Sequence, residues 1–318
     1  MFSIVAPKAG EVRFASDLFG WDRPKKMNRE GDRWVLDVEL PDDVRIEYQF
    51  VVDGKWILDP ANSHRAENGF GGYNSTYLGP NYFEYVPDEV PDLPMRRIAI
   101  RVAGHAASRT VVLYLPEGKH KDLPLMIYAD GKDYEKFVKP QFILQNLIDQ
   151  GKIPAVAIAL VPPKDRMQEY WKGSVPYEEY IVHDVLPAVR ARAPISHDSR
   201  DIYVGGASLG GLISMRLAEH YPDAIAGGVH SQSGAFWASP GVFAKSALLR
   251  LHPEIKLFIE WGRYEGVLTV SNDRMTDALR RLFRDHDAYV TSEGHNWGAW
   301  RARFAKGAEY LLGPKKTS

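Results

Sequence analysis

DIYVGGASLGGLISMRLAEH, residues 201–220, decides the fold. DIYVG (201–205) is a short apolar run of strand character, and LGGLISMRLAEH (209–220) reads as a helix. Between them, Gly206-Ala207-Ser208-Leu209-Gly210 matches G-x-S-x-G. A bare match of this kind is weak. Between a strand and a helix it marks a sharp turn that exposes the serine, with Gly206 and Gly210 leaving room where a Cβ would clash. A serine hydroxyl is a poor nucleophile at neutral pH and needs a base within hydrogen-bond reach. The helix that starts at Leu209 turns free N–H groups toward Ser208, so the Leu209 amide is the first candidate donor to a developing oxyanion.

Outward from this turn, strands and helices alternate from about residue 95 to the end. The strand candidates are 96–102, 109–115, 124–129, 154–161, 201–205, 224–230, 255–261 and 288–292. Several are continuous apolar runs, as expected for strands buried on both faces. Helix candidates fall at 139–150, 177–192, 209–220, 272–285 and 299–311, and Ser271 is placed to cap the fourth. The alternation predicts an α/β doubly wound, mostly parallel sheet over 95–318.

Residues 1–85 read differently. Trp34, Leu36, Val38 and Leu40 alternate with mostly polar neighbours, as do Ile46, Tyr48, Phe50 and Val52. Asp53-Gly54 then supplies a tight hairpin turn. The expected unit is a small all-β sandwich. VPDEVPDLP (86–94), with its three prolines, is the expected stiff linker.

Composition excludes several classes. The 318 residues carry 40 Lys+Arg against 41 Asp+Glu, a formal net charge of -1, with no basic patch that would point to nucleic acid. No cysteine is present, so thiolate catalysis and cysteine-ligated metal sites are out. No stretch reaches the ~18 apolar residues of a membrane span. The start, MFSIVAPKAGEVRF, lacks the pattern of a secretory leader. The sequence as written therefore suggests a cytoplasmic protein, although a trimmed leader would look the same.

Five histidines follow Ser208: His220, His230, His252, His286 and His295. His220 and His286 fall at expected helix ends, where a histidine favours the dipole. His230 lies by a buried strand, and His252 precedes Pro253 on a loop. His295 stands after the last strand on a loop, in EGHNWGAWR (293–301), and is the candidate base. The acid belongs after the penultimate strand, IKLFIEW (255–261), where Glu265 is best placed. Asp273 and Asp277 fall on the next helix. The loop Asp130-Gly131-Lys132-Asp133-Tyr134 follows the 124–129 strand, and the amide of Gly131 or Lys132 is the candidate second oxyanion donor.

Together these pieces resemble the esterase D-like family that includes enterochelin esterases, feruloyl esterases and mycolyltransferases. The matching segments are YADGKDY (128–134), DRMQEY (165–170), YVGGASLGGLISMRLAEHYPD (203–223), SQSGAFW (231–237), WGRYEG (261–266) and EGHNWGAWR (293–301). The resemblance implies an α/β-hydrolase fold with Ser208 as nucleophile, His295 as base and Glu265 as acid, and no metal or organic cofactor. Many relatives have Asp where this chain has Glu265.

SDLFGWD (16–22), YQFVVDGKWILDPAN (48–62) and ENGFGGYNS (67–75) resemble the early-set, immunoglobulin-like module of glycogen-binding domains. That module also precedes enterochelin esterase catalytic domains. In its sugar-binding versions Trp21, Trp56, Phe70 and Asn74 would contact a sugar. A lysine common in those versions is Gln49 here, which favours a module that supports the active-site wall.

The expected partner is a small-molecule or oligosaccharide ester, bulky or aromatic, with Tyr134, Arg166, Trp171, Trp237 and Trp297 as candidate contacts. A catecholate siderophore ester leads, and a feruloyl or acetyl ester on plant polysaccharide is the alternative. An acyltransferase or a non-catalytic carbohydrate-binding protein is the reading from another class.

Overall fold

A computed structural model describes residues 1–84, 95–104, 108–282 and 286–314; the linker 86–94 lies outside them. Two compact units emerge. The first holds Met1–Glu84 together with Trp261–Thr269 and Val290–Ala299, and the second holds most of the remaining chain. Glu265 and His295 thus belong to the compact unit built by the N-terminal residues.

The first unit is all-β over its N-terminal part. One sheet joins β1 (Phe2–Val5), β5 (Arg33–Leu36) and β4 (Asn28–Glu30). The other runs β3 (Lys25–Lys26), β2 (Val12–Ser16), β6 (Arg45–Val52), β9 (Tyr73–Leu78) and β8 (Arg65–Glu67), with β7 (Lys55–Ile57) also on β6. Asp53 and Gly54 join β6 to β7 at φ 46° and 81°, the paired positive values that a two-residue hairpin turn demands. Phe2, Phe14, Tyr48 and Phe50 pack ring on ring in the core. Val38 and Leu40 pack beside this core from beyond the end of β5.

The eight-stranded sheet is ordered β10 (Arg96–Val102), β11 (Arg109–Leu115), β13 (Ala157–Leu160), β12 (Leu125–Tyr128), β14 (Ile202–Ala207), β15 (Gly228–Gln232), β16 (Lys256–Gly262), β17 (His286–Thr291). The first three pair antiparallel, and β13 through β16 pair parallel. β12, β13, β14 and β15 are buried along their whole length, which explains the unbroken apolar runs of β12 and β13, while β15 buries His230, Ser231 and Gln232.

Three local expectations fail. The helix expected at 272–285 is Val267–Arg280, so Ser271 lies buried in its interior instead of capping it. Gly266, at φ 58°, ends the preceding turn and lets the helix begin sooner. His286 opens β17 rather than closing a helix. The expected 177–192 helix is interrupted by a π-helical segment, Tyr180–Val185, between Val175–Glu179 and Leu186–Arg190.

Candidate active site

The turn at Ser208 has the strand–turn–helix geometry its sequence demands. β14 ends at Ala207 and a helix runs Leu209–His220. Ser208 between them sits at φ 59°, ψ −119°, a strained conformation for any residue with a side chain. Such strain persists where the surroundings over-determine it. Here the Ser208 N–H donates to Gln232 O at 2.8 Å, and the Ser208 carbonyl accepts from Gly211 and Leu212 at 3.0 and 3.2 Å. A Cβ on Gly206 would stand 2.7 Å from the Gly210 carbonyl carbon, and one on Gly211 would stand 2.6 Å from Ser231 Oγ. Leu209 is the first residue of its helix, where an amide has no intrahelical acceptor.

The loop after β12 is tied to the same turn. Asp130 is buried in a left-handed conformation, φ 56°, and takes both Nε and Nη2 of Arg166 at 2.8 and 2.9 Å. Burial raises the Asp130 pKa against the pull of Arg166. Arg166 also donates to Ala207 O at 3.1 Å, directly before Ser208. Neither member of this ion pair stands out in the sequence as belonging to the nucleophile turn, because nothing local links positions 130, 166 and 207.

This loop corrects two expectations. The Gly131 N–H donates to Val161 O at 3.1 Å, so it is not offered to an oxyanion, and Lys132, next in the helical turn Gly131–Asp133, is the remaining candidate. Tyr134 is fully buried and its hydroxyl donates to Gln232 Oε1 at 2.7 Å, which makes it packing beneath the site and not a substrate contact. Gly131 is nevertheless essential to the loop, since a Cβ there would lie 2.4 Å from the Leu160 carbonyl carbon. Gly131→Ala is expected to cost about 1–3 kcal/mol through overpacking, read as a lowered urea midpoint.

Trp171 and Trp237 meet edge to face at 5.7 Å, with Trp171 Nε1 donating to Ala238 O at 2.7 Å. Trp237 is 43% exposed and presents an open aromatic surface.

The candidate base and the candidate acid, His295 and Glu265, both lie in the first unit. Glu265 lies in the turn after β16, buried, with Oε1 accepting the Gly262 N–H at 2.7 Å and Oε2 3.1 Å from His295 Nδ1. A histidine whose Nδ1–H is held by a carboxylate leaves Nε2 to accept a proton. Asp273 and Asp277 lie on the helix Val267–Arg280, where Asp277 pairs with Arg280 at 3.0 Å. The other histidines have different partners. Buried His230 sits between Tyr128 Oη at 2.5 Å and Glu260 Oε1 at 3.3 Å, and His220 pairs with Glu178 at 2.6 Å.

Trp297, the first residue of the helix Trp297–Leu312, abuts the glycine-rich loop of the N-terminal sheets: a Cβ on Gly69 would lie 3.0 Å from its Nε1. Phe70, next in that loop, is 96% exposed. Trp21 and Trp56 stack at 6.3 Å, and Trp56 is half exposed. Asn74 is buried with its amide committed to Glu47 Oε2 and Gln49 Nε2, at 2.8 and 2.9 Å, which removes it as a sugar contact.

Residues 105–311 match the protein family described as "Putative esterase". The chain belongs to the esterase family. This esterase is 24% identical over 244 residues to the iron(III) enterobactin esterase of Escherichia coli K12, a match covering 71% of this chain and 59% of that protein. Among solved structures it is similar to the enterobactin esterase of Shigella flexneri crystallised in the presence of 2,3-dihydroxy-N-benzoyl-serine. The TM-score is 0.79 at 20% identity, over 98% of this chain and 92% of that one. A feruloyl esterase module of Clostridium thermocellum complexed with sinapinate gives 0.59 at 17% identity, over 72% of this chain and 93% of that one. These likenesses fix the fold of the esterase as an α/β-hydrolase carrying an N-terminal all-β part.

Proposed function

We propose that this esterase hydrolyses bulky or aromatic carboxylic esters with Ser208 as nucleophile, His295 as base and Glu265 as the group that orients the imidazole. The strained serine at a helix N-terminus is the observation that carries the reading. Ser208 Oγ attacks the ester carbonyl as its proton passes to His295 Nε2. The oxyanion is held by the Leu209 N–H, with Lys132 N–H as second donor. The protonated His295 then gives its proton to the departing alkoxide, and a water, activated in the same way, releases the acid from Ser208. Glu265 keeps Nδ1 protonated throughout and stabilises the imidazolium.

Glu265→Gln is expected to lower kcat by less than loss of Ser208 or His295. The glutamine can still accept one hydrogen bond but supplies no charge to the imidazolium, a change worth about 10⁴ in a related arrangement. Stopped assays on p-nitrophenyl butyrate check it. Wild-type turnover in this variant, with a large loss in Asp273→Asn, would overturn the assignment of the acid.

For the substrate, similar structures were obtained in the presence of 2,3-dihydroxy-N-benzoyl-serine and in complex with sinapinate, and both molecules carry an aromatic ring. The open Trp237 edge supports the same class. A catecholate siderophore ester is the leading substrate, since an enterobactin esterase matches over 98% of the chain. The cationic ends of Lys132, Lys172 and Arg263 are exposed, as binding of an anionic catecholate requires. Hydrolysis of enterobactin, methyl ferulate and acetylated xylan side by side tests this. Preference for acetylated xylan would remove the aromatic requirement, and transfer to an added alcohol in place of water would make the protein an acyltransferase.

A further inference from the structure

The loop that carries His295 is held by side chains far away in sequence. Asn296, the next residue, caps the helix Trp297–Leu312: its Oδ1 accepts the Ala299 N–H at 2.9 Å. The same oxygen accepts from Arg45 Nη1 at 2.6 Å, and Nδ2 donates to Asp17 Oδ2 at 3.1 Å. Every polar atom of Asn296's side chain used here is answered by a residue of β6 or of the turn after β2.

Those partners are themselves fixed. Asp17 is buried, with Oδ1 accepting from Trp21 Nε1 at 3.0 Å and Oδ2 also accepting the Glu47 N–H at 2.8 Å. Buried Arg45 puts its other terminal nitrogen on Glu47 Oε1 at 3.0 Å, and its backbone N–H donates to Ser292 O at 3.0 Å. Tyr82 donates to Glu293 Oε1 at 2.9 Å. The glycines around His295 and Asn296 make the approach possible. A Cβ on Gly294 would lie 2.1 Å from Asp17 Cγ, and one on Gly298 would lie 2.0 Å from Arg45 Nη2. The spacing G-H-N-W-G is thus explained: the two glycines admit Asp17 and Arg45 to either side of the residue after the histidine.

We propose that Asp17 is a positioning residue for His295, acting through the side chain of Asn296, so that the N-terminal sheets set the reactivity of the nucleophile. The proposal rests on the esterase reading above. A catalytic imidazole must stay aligned to within a fraction of an ångström, and a 1 Å misplacement costs on the order of 10²-fold. Glu265 holds one ring nitrogen. The Asn296 clamp fixes the backbone at the next residue. Replacing the Asp17 carboxylate by an amide keeps its volume and sets a donor against Trp21 Nε1 or against Asn296 Nδ2.

Burial, with Glu47 beside it, pushes the Asp17 carboxyl up to about 7, opposed by its donors and by Arg45. The charged groups that act on it are Glu47 and Arg45, both on β6. The clamp is therefore fully formed only above neutrality, where Asp17 is ionised. The advantage of the wild type over Asp17→Asn should widen as pH rises from about 6 to 8.

The test is labelling by a fluorophosphonate, which reports activation of the serine without knowledge of the substrate. Asp17→Asn should lower the limiting labelling rate about 10- to 100-fold with the apparent affinity for the reagent little changed. The double variant Asp17→Asn/Asn296→Asp exchanges amide and carboxylate, keeps the helix cap, and should regain part of the rate. A folded Asp17→Asn variant that labels at the wild-type rate at every pH would overturn the proposal. So would a loss that follows the fraction unfolded and is not regained in the exchanged pair. If the wild type fails to label at Ser208, the esterase reading itself fails instead.

Discussion

Ser208→Ala is expected to lower ester turnover by about 10⁶ while leaving the protein folded. The side chain contributes Oγ to the chemistry and nothing to the fold that the alanine lacks. No side-chain cap is made by Ser208, and the bonds that hold the turn are its backbone N–H to Gln232 O and its carbonyl to Gly211 and Leu212. The positive φ is borne as badly by alanine as by serine, so the strain is conserved. What remains is an intact donor set around an absent nucleophile, worth roughly 10³–10⁴ over water in other serine hydrolases. The measurement is kcat for p-nitrophenyl butyrate at matched circular dichroism and melting temperature. Retention of more than a small fraction of activity by a folded variant would remove Ser208 from the reaction.

The nucleophile turn was legible because its signals are local. A strand, a G-x-S-x-G turn and a helix within twenty residues carry their own periodicity and steric logic. Glu265 and His295 are candidates by their order after the strands, and the structure places Glu265 Oε2 3.1 Å from His295 Nδ1. What escaped was long-range. Asp130 and Arg166 are separated by 36 residues, and Arg45 and Asn296 by 251. No periodicity registers a hydrogen-bonded pair so far apart in the chain. Tyr134 was misread for a related reason: an aromatic on a glycine-bearing loop looks exposed until the partner of its hydroxyl, Gln232, 98 residues on, is seen. The early start of the helix at Val267 was hidden because Val267, Leu268 and Val270 follow a turn and look like its continuation. Gly294 and Gly298 carried a signal that could have been used. Two glycines flanking a loop histidine announce close approach by something, though not by what.

His295→Ala is expected to be nearly as severe as Ser208→Ala, and the double variant no worse than either alone. Without a base the serine hydroxyl keeps its proton and attacks poorly, so either substitution disables the same step and the two losses do not add. Stability should fall by a modest amount, about 1–3 kcal/mol, because Glu265 Oε2 loses its partner in a buried position while Oε1 keeps the Gly262 N–H. This separates His295 from a structural histidine such as His230, whose loss would open a cavity among Tyr128, Phe258 and Phe304 at the centre of the sheet. The activity loss at 295 should therefore far exceed what unfolding explains, and the reverse should hold at 230. Added imidazole should return part of the His295→Ala turnover by entering the vacated space and taking the serine proton. Full activity in His295→Ala, or no rescue together with a large loss in His252→Ala, would move the base elsewhere.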